Sequence, residues 1–253
     1  AAADALARDA TAYRTALWRK FSERLAERRR PFRVALITPD RDGIEETMAY
    51  AWAYGRCEAC WIAPDDRGTL VDTDGRTFDP GDYDAVWVHQ LRYHAQPTAG
   101  TTVDPAQVLM PALMDPTVRE SLRTYVADGG GLLLTGVAGL YVVPLGVEGV
   151  LPDRIRENDY LTRDLSVGII PAPGAERHPA LAHVPAAGHL TNGGPRGQPV
   201  ATECAWEKRR PTGTVLAQEL DGQYGRLADV ATVVEYELGA GKVLVLGGLG
   251  FLG

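Results

Sequence analysis

The side chains best suited to chemistry crowd into one short stretch. His89, Arg92, Tyr93 and His94 fall in HQLRYH, where two imidazoles can exchange a proton near neutral pH and the guanidinium between them can hold an anion or a polarised carbonyl. With Asp40 from a separate segment, His89, Arg92 and His94 are candidate catalytic residues for a hydrolase or lyase. His89 and His94 are five residues apart, so they do not share a helical face as the histidines of H-E-x-x-H do, and no carboxylate motif follows. A metal would require Asp40 or another loop residue to converge on them; neither a metal nor another cofactor is expected. The alternative is structural, one histidine on a loop and the other hydrogen-bonded near the core. A second set, Thr135, Gly136, Tyr93 and Tyr141, are candidate ligand-binding residues, because small-ligand pockets combine aromatic surface with a few fixed polar groups.

Other chemistry-bearing residues read as structural. Cys57 and Cys60 have the C-x-x-C spacing of a redox pair or half a zinc site, but the sequence has no second pair. RCEACWIAP reads as the start of a strand, which sends the two sulfurs to opposite faces of the pleat. Cys204, in TECAWE, has no histidine in its segment. TNGGPRG, at Thr191–Gly197, lacks the Lys-Ser/Thr and following helix of a phosphate loop. His178, His183 and His189 lie in an irregular region.

The elements that must position these residues follow from periodicity and punctuation. Residues 1–30 contain no Gly or Pro and place Leu6, Tyr13, Leu17, Phe21 and Leu25 on one stripe, an amphipathic helix that Arg28–Arg30 and Pro31 close. FRVALITPD reads as a strand, Gly43 to Tyr54 as a helix and CEACWIAP as a second strand. The Asp/Gly-rich stretch from 65 to 82 is an excursion with a hairpin turn at TDGR. YDAVWVHQL, apolar on both sides of its pleat, is a central third strand. In MDPTVRESLRTYVADGG, Asp115 is the helix N-cap, Pro116 the first helical residue and Gly129 the stop. GLLLTG is a fourth strand, and VAGLYVVPLG a turn and helix start. Strands alternating with helices imply an α/β fold, a doubly wound, mainly parallel sheet. Residues 147–213 read as an irregular insertion. TGTVLAQEL, ATVVEYELG and KVLVLGG read as strands, the last two as an antiparallel edge hairpin. The expected organisation is therefore a helix over 1–30 and one α/β domain over 31–253. In such a sheet ligands bind beyond the carboxyl ends of the strands, where Asp40, His89–His94 and Thr135–Tyr141 fall.

Tyr125, Val126, Gly129 and Gly130, a helix end of the form Y-V-x-x-G-G ahead of a strand, open the segment DGGGLLLTGVAGL. This resembles class I glutamine amidotransferase-like domains, above all those of trehalose-utilisation-type proteins and the trimerisation domain of some β-galactosidases. YDAVWVH resembles their third strand, HPAL at His178–Leu181 a segment before their late strands, and VEYELGAGKVLVLG their closing hairpin. Together these cover most of residues 32–250. The resemblance implies a flavodoxin-like fold. It also implies where an amidotransferase would carry its cysteine, on the elbow after the fourth strand, and its histidine, followed by Pro and Glu, past the last long strand. Here the elbow is Gly136-Val137-Ala138-Gly139 and the late stretch is GGLGF. Glutamine hydrolysis is not expected, and with no serine on the elbow neither is a serine hydrolase triad. What remains implied is a non-catalytic binding or assembly domain, linked to carbohydrate metabolism or part of a larger glycoside-processing protein. The alternative is a hydrolase or lyase on a sugar-derived substrate, using Asp40, His89, Arg92 and His94. The expected partners are a small carbohydrate ligand and a second copy or a fused catalytic domain.

Charge excludes other classes. The 253 residues carry 33 acidic and 26 basic groups, a net charge of −7, the wrong sign for a surface that neutralises phosphates, so no nucleic acid partner is expected. No apolar run approaches the roughly 20 residues of a bilayer span, so no membrane partner is expected. The N-terminus lacks the regions of an uncleaved signal peptide, although Ala1–Ala3 matches what an A-x-A cleavage leaves. A cytoplasmic location is the expectation, with secretion the alternative. The sequence stops at GGLGFLG, directly after a strand, where such a domain continues into a closing helix; two expectations stand, that the helix over 1–30 covers that face instead or that the chain is cut from something longer.

Overall fold

The computed structural model describes residues 31–95, 103–155, 167–181, 204–221 and 226–247. The expected helix over 1–30, His183, His189, Thr191–Gly197 and the stretch after Gly247 lie outside these. The strands are β1 (Arg33–Ile37), β2 (Glu58–Pro64), β3 (Leu70–Val71), β4 (Ala85–Gln90), β5 (Gly131–Gly136) and β6 (Arg154–Ile155). They continue with β7 (Val167–Pro171), β8 (Cys204–Ala205), β9 (Thr214–Asp221), β10 (Arg226–Leu238) and β11 (Gly241–Leu246). The helices are α1 (Ile44–Tyr54), the single turns α2 (Pro105–Val108) and α3 (Pro111–Met114), and α4 (Pro116–Ala127).

Nine strands form one sheet in the order β3-β2-β1-β4-β5-β11-β10-β9-β7. The run β2-β1-β4-β5-β11 is parallel throughout. Counted alone, these five strands have the 2-1-3-4-5 order of a flavodoxin-like sheet, with its topological switch between β1 and β4. They are apolar on both sides because both faces are covered. On one face Leu122 and Val126 of α4 pack with Val86, Val88, Leu132 and Leu134. On the other, Ala49 and Ala53 of α1 pack with Leu36 and Trp87.

The boundaries of α4 follow the sequence. Asp115 Oδ1 accepts the N–H groups of Thr117 (2.7 Å) and Val118 (3.3 Å), and Pro116 supplies the first turn. These hydrogen bonds, the Thr117 amide first, hold the Asp115 carboxyl below the usual carboxylate range. At the other end Gly129 has φ +110°, and the N–H groups of Gly130 and Gly129 return to the carbonyls of Tyr125 and Val126, each at 2.9 Å. This is a Schellman stop, and it gives the Y-V-x-x-G-G motif a structural cause. The Tyr125 ring also lies against Gly130, where a Cβ would come within 2.4 Å of it.

Among the described residues, the crossover from β2 to β4 contains no α-helix. It folds back through β3 on two similar turns, in which Asp65 Oδ1 accepts from Arg67 and Thr69 and Asp72 Oδ1 from Asp74 and Arg76. The second is the turn expected at TDGR; the first, in DDRG, was not anticipated. Arg41 pins the excursion, donating from Nη2 to the carbonyls of Val71 (2.7 Å) and Trp61 (3.3 Å).

β10 and β11 pair as the expected antiparallel hairpin. β11 also inserts beside β5, and β9 and β7 extend the sheet beyond β10, so the hairpin is internal and β7 forms the rim. The region 147–213 is tied to the sheet by buried polar groups. Glu148 accepts from the backbone N–H groups of Gly149, Val150 and Thr212 and from the hydroxyls of Thr212 and Tyr236. Burial pushes its carboxyl up, but these donors, led by the Thr212 amide, outweigh that and hold its pKa below the usual value. Arg154 forms a bidentate buried ion pair with Glu219 of β9, one arm at 2.9 Å. His178 of HPAL accepts at Nδ1 from the N–H of Ala180 (3.2 Å) and meets Glu235 through Nε2 (3.2 Å).

Candidate functional site

The carboxyl ends of β1, β4 and β5 meet at the topological switch. The register pairs His89 with Thr135 and Gln90 with Gly136, and alternation along the strands sends His89 and Thr135 to the α1 face with Trp87. His89 is fully buried. Its Nδ1 lies 2.7 Å from Thr135 Oγ1, which also accepts the Trp87 indole N–H at 2.8 Å. Its Nε2 has no hydrogen-bond partner among the described residues. Burial without a compensating charge pulls its pKa from 6.5 to about 4, so the ring is neutral at physiological pH. The imidazole and the Thr135 hydroxyl have the spacing of a base and a nucleophile. With exposures of 0% and 1%, however, neither is open to a substrate.

The other proposed catalytic residues sit apart from this buried pair, on exposed loop positions. Asp40 is exposed, and its Oδ1 accepts from the N–H groups of Asp42 (3.0 Å) and Gly43 (2.8 Å), which shapes the entry to α1. Arg92 and His94 are exposed on the loop after β4, and Tyr93 is half-buried against the core. Gln90 holds this loop together with the backbone N–H groups of His94 and Ala95, which donate to the carbonyls of Val108 (2.8 Å) and Gln107 (2.9 Å). Gln90 Nε2 donates to the carbonyls of Arg92 (2.8 Å) and Val108 (2.7 Å), and its Oε1 accepts from the N–H of Met110 (3.1 Å). The sequence reading gave Gln90 no role. The available signal was its place at the end of an apolar strand, where a buried amide must satisfy several backbone groups.

The elbow after β5 has the expected sharp turn. Gly136 sits at φ +65°, and a Cβ there would fall 2.4 Å from the carbonyl oxygen of Gln90, so only glycine fits. Val137–Val142 follow as a 3-10 turn whose residues are all buried. The space beside Gly139 is filled: a Cβ there would come 2.7 Å from Cys204 Sγ and 3.0 Å from Val245 Cγ1. Thus β8, from the irregular region, packs its thiol against the elbow. Tyr141 is also fully buried, its hydroxyl lacks a partner among the described residues, and burial pushes its pKa up. Thr135, Gly136 and Tyr141 therefore line the interior, while Tyr93 lies at its margin.

The remaining cysteines are free, Cys57 and Cys60 half-buried; Cys60 packs with the core on the α4 side and Cys57 with the cluster under α1. Among the described residues no group of three or more His, Cys, Asp or Glu is placed to hold a metal, and no helix is long and apolar enough to cross a membrane.

No family model and no curated protein matches the chain. Solved structures are similar to it. A β-galactosidase from Rahnella sp. R3 aligns with a TM-score of 0.49 and 18% identity, over 86% of this chain and 29% of its own. A β-galactosidase from Bacillus circulans sp. alkalophilus gives 0.44 and 12%, over 87% of this chain and 29% of its own. An exo-β-1,4-mannosidase from Opitutaceae bacterium strain TAV5 gives 0.38 and 12%, over 85% of this chain and 30% of its own. The chain spans less than a third of each of these glycosidases.

Proposed function

We propose that the chain is a non-catalytic, amidotransferase-like domain that binds or assembles within a larger glycoside-processing protein. The observation that carries the non-catalytic part is the filled elbow. Acyl transfer needs a nucleophile at the turn and open space before it, so that a carbonyl can reach both the nucleophile and the oxyanion donors. Here the turn is Gly136-Val137-Ala138-Gly139, and Cys204 Sγ and Val245 pack beside Gly139. The carbohydrate link rests on the sequence resemblance.

The second reading, a hydrolase or lyase using Asp40, His89, Arg92 and His94, has the His89–Thr135 contact in its favour. Against it stand the burial of both groups and the separate bonding of Asp40. The test is to incubate the chain with L-glutamine, measure ammonia release, and follow its association state by sedimentation velocity. No release above buffer, together with self-association or binding of a separate catalytic chain, is the expected result. Turnover that disappears in Cys204→Ala or His89→Ala while the fold persists would overturn the proposal.

A further inference from the structure

Among the described residues, a concave surface open to solvent lies at the opposite end of the sheet from the elbow. A hollow of about 910 Å³ runs between the outer face of α4 and the turn at Asp79–Asp84, reaching the amino ends of β4 and β5. It shares Thr117 and Ser121 with a second hollow of about 340 Å³ beside Leu70 and Phe78, so the two form one groove along the helix.

One wall is a stripe of α4. Thr117, Ser121, Thr124 and Asp128 recur at helical spacing on one face and are exposed. At 1.5 Å per residue the stripe is roughly 16 Å long. The facing turn brings Asp79 and Asp84, and Glu120 stands beside Ser121. The floor is the Tyr125 ring lying on Gly130; the Tyr83 ring beyond it is buried, with the Arg33 guanidinium over it at 5.1 Å.

This lining selects a chemistry. Among the described residues four carboxylates and no Lys, Arg or His line the larger hollow, while Arg67 and Asp115 line the smaller one, so phosphorylated or acidic ligands are disfavoured in the larger hollow. Carboxylates accept O–H groups in pairs, and the hydroxyls of Thr117, Ser121 and Thr124 both donate and accept. The half-buried Tyr125 ring offers apolar surface to a ring face that lacks hydroxyls. We infer that this groove binds a neutral polyhydroxylated chain, a short oligosaccharide, through α4 and the Asp79–Asp84 turn. The inference deepens the proposed function, resting on its carbohydrate link, and moves ligand binding from the carboxyl to the amino ends of the strands.

The test is calorimetric titration of the full chain with maltotetraose, cellotetraose, mannotetraose and galactotetraose, with spermidine as a cationic control. At least one tetrasaccharide should bind with a Kd below about 1 mM. Ser121→Arg, which puts a long side chain where the two hollows meet, should weaken binding at least tenfold. Glu120→Gln with Asp128→Asn should do the same, with both variants keeping the parent unfolding midpoint. The inference is overturned if no tetrasaccharide binds, if binding survives Ser121→Arg, or if spermidine alone binds. None of these outcomes touches the non-catalytic reading, whereas glutamine turnover would remove that reading and leave the groove standing.

Discussion

The packing of Cys204 against the elbow can be tested by a double-mutant cycle on Gly139 and Cys204. In Gly139→Ala the new methyl would lie 2.7 Å from Cys204 Sγ and 3.0 Å from Val245 Cγ1, closer than carbon and sulfur approach without displacement. Overpacking of this kind costs about 1–3 kcal/mol. Cys204→Ala alone removes one buried heavy atom and leaves a small void, a loss of about 1 kcal/mol. In the double variant the methyl occupies the space the sulfur vacated. Its remaining tight contact is with Val245, so the double variant should be less destabilised than the sum of the singles by about 1–2 kcal/mol. Urea unfolding followed by tryptophan fluorescence reads this, with buried Trp206 two residues from the site. Additivity within about 0.5 kcal/mol would show that the thiol does not press on Gly139, and the account of the closed elbow would fail with it.

Further consequences follow from the buried polar groups. His89 is neutral when folded, with a pKa of about 4 against 6.5, so the unfolded chain binds the extra proton. Stability should be full above pH 6.5 and fall by roughly 3 kcal/mol as pH drops to 4, a loss that His89→Leu should remove from urea midpoints measured across that window. Gln90→Leu should strip the Met110 amide of hydrogen-exchange protection and cost about 1–3 kcal/mol, because it leaves that buried N–H without its partner and takes one of two donors from the Val108 carbonyl. Arg154→Ala should destabilise by about 3–5 kcal/mol, whereas Arg154→Met with Glu219→Leu should lie near the parent, since an unpaired buried charge costs more than a missing pair. Thermal melts of the single and double variants separate these outcomes.

The α4 groove is framed by a helix whose two ends are set by Asp115 and Gly129. Its Schellman stop places Tyr125 against Gly130, so the groove floor is held by the same residues that end the helix.

What the sequence determined by itself was local. Asp115, Pro116 and Gly129 mark the ends of α4 because an N-cap, a pre-set φ and a left-handed residue act within one turn of the chain. The apolar runs of β1, β4 and β5 announce strands covered on both faces, and the odd-even separation of Cys57 and Cys60 puts the sulfurs on opposite sides of the sheet, as observed. The turn after β5 was also legible, from the Thr-Gly that ends its apolar run, and Gly136 takes the positive φ there. Only the tertiary structure decided what covers these elements. His89 and Thr135 stand 46 residues apart, and strand register and the packing above them turned a candidate base into a sealed, neutral ring. Cys204 reached Gly139 from a region whose sequence showed no regular pattern. The hairpin became internal because β9 and β7 paired beyond it. In each case burial and desolvation sum contributions from segments distant along the chain, whereas periodicity and capping report only on neighbours within it.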